Sequence, residues 1–222
     1  NLRYLGIQAL TKINNPKYAN QHQATVIDCL EDTDETLKRS TLALLFTMTN
    51  EKNVTIITNK LMEYARKELD KTFQEDLISR ICTLAEKFAP DNFWYIDTIS
   101  DCFEVDASLV PITVINTMIA VVSEGSGDDL SKDEELRAYT VDIFFELILE
   151  NSVLHDIHIQ VISWILGEYG YLSKKYTKEE LISGLCDLAE RPLDDNYTRA
   201  CIFSSLLKLT AQTGEKQVQA EE

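Results

Sequence analysis

The stretch Leu30-Glu31-Asp32-Thr33-Asp34-Glu35-Thr36-Leu37-Lys38-Arg39 decides the fold class. Its first half is a short polar break rich in residues that cap helices, and Leu37 opens an apolar stripe that Leu42, Leu44, Leu45 and Met48 continue at helical spacing. Asp34 or Thr33 is placed to cap the second helix, Leu37 to enter a core, and Arg39 to reach a neighbouring acidic turn. Ten residues thus describe two helices folded back on each other.

The same rhythm extends in both directions. Leu2, Leu5, Ile7, Ala9, Leu10 and Ile13 form a helical pattern that stops at Asn14-Asn15-Pro16, and a second helix spans about residues 18 to 30. Downstream, helices are expected over about 54–69 and 72–89. Pro90 then breaks the chain, and Asp91 is placed to cap a helix carrying Trp94, Tyr95, Ile96 and Ile99. Ser108 reads as the cap of the next helix, with Pro111 in its first turn and an end near Glu124. Residues 125–132 form the longest interruption. Helices resume over about 133–150, 155–172, 178–191 and 195–212, and residues 214–222 read as a frayed polar tail. Segments of about 12 to 18 residues pair at about 35 to 45 residues, the period of HEAT and armadillo-type repeats. The expectation is an all-α fold, an α-solenoid of antiparallel helix pairs, with residues 1–213 as one trunk.

Composition agrees. The chain has 222 residues, of which 45% are hydrophobic, and only seven Gly and four Pro, which favours long regular elements over short turn-rich ones. Its formal charge of −16 repels phosphate backbones and anionic lipid, so nucleic acid is a poor partner and basic protein segments a better one. Cys29, Cys82, Cys102, Cys186 and Cys201 are odd in number and lie in apolar helical contexts, which reads as reduced core residues in cytosol. The chain opens on Asn1-Leu2-Arg3-Tyr4, already inside an amphipathic pattern, and reads as cut from a longer one.

Candidate chemistry is sparse. His155 and His158 lie three residues apart, a spacing that suits two metal ligands, yet no third or fourth ligand is evident and a polar first helical turn explains them better. The glycines of 125–129 lack a P-loop lysine and a preceding strand. Lys174-Lys175-Tyr176-Thr177-Lys178 is the densest basic patch, offset at once by Glu179-Glu180. No catalytic residue, cofactor site or metal site is assigned, and an enzyme is not expected. More telling is Trp164-Ile165-Leu166-Gly167-Glu168-Tyr169-Gly170. Glycines inside a helix need a packing reason, here the close approach of a neighbouring helix or room for the Trp164 ring, and Trp164 itself is expected in the core. Glu168, one turn on, is placed to meet the indole N–H or an Arg of a partner.

This segment resembles the W-x-x-G-E-Y stretch of the large adaptin chains of heterotetrameric vesicle-coat adaptor complexes. Ala85-Glu86-Lys87-Phe88-Ala89-Pro90-Asp91 with Trp94-Tyr95-Ile96-Asp97-Thr98-Ile99 resembles a second adaptin segment, and Asp28-Cys29-Leu30 through Lys38-Arg39 a third, in the family's order. The resemblance spans residues 1 to about 213 and is greatest to the epsilon chains of the fourth adaptor complex, with gamma and alpha chains as alternatives. Asp34, Arg39, Pro90, Trp94, Trp164, Gly167, Glu168 and Tyr169 are its structural motif residues. The resemblance implies a vesicle-transport adaptor on trans-Golgi network membranes, held there peripherally, with a beta large chain, a mu medium chain and a sigma small chain as partners. It places Arf-type GTPase and cargo-signal contacts in earlier parts of the trunk. The other reading of an acidic solenoid is a karyopherin-like receptor for basic signals, which the adaptin motifs do not favour.

Overall fold

The computed structural model describes residues 2–13, 21–125, 129–150 and 154–212. The expected break at residues 14–16 and the tail at 214–222 lie outside them. Among the described residues the regular structure is helical, with short 3-10 turns and no strand. The chain is all-α, as its periodicity requires, and divides into two compact units, Asn1–Asp91 and Asn92–Glu222.

The first unit holds α1 (Leu2–Ile13), α2 (Gln23–Asp28), α3 (Glu35–Met48), α4 (Val54–Lys67) and α5 (Lys71–Phe88). α1 packs on α3, and α4 on α5. Each apolar stripe turns inward: Leu37, Leu42 and Leu45 of α3, Ile57 and Leu61 of α4, and Phe73 and Leu77 of α5 are all buried. Each such side chain contributes about 1.5 to 3 kcal/mol on leaving water. Helix starts are sealed locally. The Asp34 carboxylate accepts from the Thr36 and Leu37 amides at 2.9 and 3.3 Å, and the Asp70 carboxylate accepts from the Thr72 amide at 3.0 Å. α5 ends where Ala89 turns extended, as the residue before Pro90 must.

The second unit holds α6 (Asn92–Asp106), α7 (Ile112–Glu124), α8 (Leu130–Glu150), α9 (Asp156–Tyr169), α10 (Lys178–Glu190) and α11 (Asn196–Gln212). Alternate helices run parallel and touch. The Tyr139 hydroxyl of α8 donates to Asp97 of α6 at 2.6 Å, and Phe144 of α8 meets Phe103 of α6 edge to face. Between α9 and α11, Gln160 donates to Thr198 at 2.8 Å across 38 residues of sequence. That separation falls within the repeat period read from the sequence. The solenoid class therefore shows in the helix packing inside this unit, with α7 and α10 as the returning helices.

Three boundaries differ from expectation. α8 begins at Leu130, three residues early, because Asp129 supplies a cap: its carboxylate accepts from the Ser131 amide and its carbonyl from the Asp133 amide, both at 3.0 Å. Ser108 does not cap α7. It sits in a 3-10 turn and donates to the Asp106 carboxylate, while Pro111 takes the N-cap position and its carbonyl accepts from Val114 and Ile115. Proline suits that site because the first amides of a helix lack intrahelical partners anyway. α9 stops at Tyr169, and Gly170–Leu172 tighten into a 3-10 turn. At the end of α7, Gly125 adopts φ of 67°, a region that side chains avoid, and its amide closes on the Val121 carbonyl.

Candidate functional site

The motif residues of α9 form a junction of three helices. Gly167 sets how closely α9 and α11 approach: a Cβ placed on it would lie 2.8 Å from the Cα, Cβ and Oγ of Ser205. No larger residue fits without moving the backbone. One turn away, Lys208 of α11 pairs with the Glu168 carboxylate, and Gln212 donates to the Glu168 carbonyl at 3.2 Å. The other end of the same helix pair is held by Asp156, which accepts from Thr198 Oγ1 at 2.8 Å and from the Asp195 amide at 2.9 Å. Asp156 is held below the usual carboxylate range by these hydrogen bonds, which outweigh its partial desolvation.

Tyr169 joins this junction to α8. The Arg137 guanidinium stands 5.2 Å from the centre of the Tyr169 ring and donates to the Val122 and Ser123 carbonyls at 3.1 and 2.8 Å. One cation therefore satisfies the open C-terminal carbonyls of α7 while stacking on the aromatic of α9. Burial pushes the Tyr169 hydroxyl up, against the opposing pull of Arg137. Trp164 meets Tyr169 edge to face, with ring centres 5.8 Å apart.

Trp164 is not the core residue its size suggested. It is half-buried and lines an open groove with Ile115 of α7, Ile157 of α9 and Cys201 of α11. The glycines of the motif serve the α9–α11 contact and the turn that follows, not the indole. Within the chain, Glu168 pairs with Lys208.

In the first unit, Arg39 of α3 reaches toward the acidic start of α5. Its guanidinium lies 3.9 Å from the Asp70 carboxylate, 3.5 Å from Glu35, and 5.2 Å from the centre of the Phe73 ring. Pro90 is exposed in the turn after α5, and Trp94 is half-buried on the first turn of α6. The structure thus brings Trp164, Gly167, Glu168 and Tyr169 together, and Asp34 and Arg39 to opposite ends of one helical turn or so of α3.

The histidines do not converge on a metal. His158 accepts from the His155 amide through Nδ1 at 3.1 Å, and its ring is only 5% exposed, edge-on to Phe103. Burial, aided by the charge of His155, lowers its pKa to about 4. Among the described residues no group of three His, Cys, Asp or Glu is arranged to hold a metal ion, and no helix is long and apolar enough to cross a membrane. Cys29, Cys82 and Cys102 are buried, but Cys186 is exposed on α10 and Cys201 half-exposed on α11, so the expectation of five core thiols fails for these two. In the basic patch, Lys175 is paired with Glu146.

Arg137, Ser205 and Lys208 escaped the sequence reading. Each acts through a residue distant in sequence, and the signal in the sequence for Lys208 is its separation of 40 residues from Glu168, one repeat on.

The family model described as "Adaptin N terminal region" matches residues 1–221. The chain belongs to the adaptin family. This adaptin is 39% identical to AP-4 complex subunit epsilon-1 of Homo sapiens over 215 residues, which is 96% of the chain and 19% of the relative. It is also 39% identical to AP-4 complex subunit epsilon of Arabidopsis thaliana, over 95% of the chain and 23% of the relative. To AP-1 complex subunit gamma-1 of Arabidopsis thaliana it is 29% identical, over 96% of the chain and 25% of the relative. The similarity to epsilon chains read from the motifs is thus present along the whole chain. The chain spans about a fifth of the length of the curated relatives it matches.

Proposed function

We propose that this chain is a section of the trunk of an adaptor-complex large subunit, acting in vesicle-mediated protein transport from the trans-Golgi network. The observation that carries the reading is the 39% identity to AP-4 epsilon subunits along 96% of the chain, in a relative named as part of a complex. Its mechanism is geometric. Helix pairs locked by contacts such as Gly167 on Ser205 and Arg137 on Tyr169 hold their faces in fixed relation, and those faces carry other subunits. No bond is made or broken.

The partners under this reading are a beta large chain, a mu medium chain and a sigma small chain. Residues 1–213 act as one trunk section, and Asp34, Arg39, Pro90, Trp94, Trp164, Gly167, Glu168 and Tyr169 maintain it rather than touch cargo. Membrane association is peripheral and comes through the complex. Arf-type GTPase and cargo signals engage other parts.

The test is affinity purification of the tagged full-length gene product from its own cells, with identification of what accompanies it. Recovery of beta, mu and sigma chains in equal amounts is the expected result. Recovery instead of soluble basic cargo, with none of those chains, would overturn the reading in favour of a karyopherin-like receptor.

A further inference from the structure

We draw no further inference here: the strongest candidate, the apolar groove of the second unit that Ile115 of α7, Trp164 of α9 and Tyr197 of α11 line, carries nothing, because its charged residue Lys208 is already paired with Glu168 and nothing in the structure shows what covers it.

Discussion

The Cα of Ser205 lies 2.8 Å from where a Cβ on Gly167 would stand, so α9 and α11 approach as closely as their backbones allow. Gly167→Ala should therefore cost about 1 to 2 kcal/mol, the overpacking penalty exceeding the gain in helix propensity. Gly6→Ala in α1, where nothing lies within 4 Å of the added atom, should instead be neutral or stabilising by up to about 1 kcal/mol. Thermal melting of the two variants checks the sign. A matching shift for both would show that propensity, not contact, governs Gly167.

Arg137 and Lys208 both present a cation to the α9 motif but differ in what depends on them. Arg137 satisfies two helix-terminal carbonyls and stacks on Tyr169, so Arg137→Ala should lower stability by about 2 kcal/mol. Lys208 is half-exposed in an ion pair, and Lys208→Ala should cost under about 1 kcal/mol and less in high salt. Urea denaturation at two ionic strengths separates them.

Asp34 closes the first turn of α3 with two backbone amides. Asp34→Ala should destabilise by about 1 kcal/mol, and Asp34→Asn by much less, because the amide oxygen still accepts. Equal losses by calorimetry would point to charge in place of capping.

His158 makes stability depend on pH. Burial, aided by His155 and opposed by Asp106, lowers its pKa from 6.5 to about 4, so between these values the unfolded chain binds the proton that the folded chain refuses. Stability is fully present above about pH 6.5 and falls as pH drops toward 4. The loss attributable to His158 should reach about 2 kcal/mol by about pH 5. His158→Phe should flatten that part of the profile in denaturant titrations at successive pH values.

Much of this architecture was legible in the sequence because its signals are local. Leu37, Asp34 and the stripe to Met48 name a helix and its start without reference to anything far away. Boundaries shifted where two residues competed for one role, as Pro111 displaced Ser108 and Asp129 captured the start of α8. The site was less legible. Gly167 announced a close approach but not Ser205 as its object, and Trp164 looked like core because size is a poor guide when a ring sits at the edge of a groove. The cavity lined by Phe103 of α6, Phe144 of α8 and His158 of α9 arises from three helices at once, and no spacing along one helix encodes it.

The capping carboxylates have a meaning beyond the turns they close. Asp34 and Asp70 each define where a helix begins using residues within that helix's own first turn, so a helix pair carries its start signals with it. A gene can then lengthen or shorten by whole pairs without altering the ends of the helices that remain. Loss of α5 alone would strip Arg39 of Asp70 and Phe73 together and leave the apolar stripe of α4 without the helix it packs on.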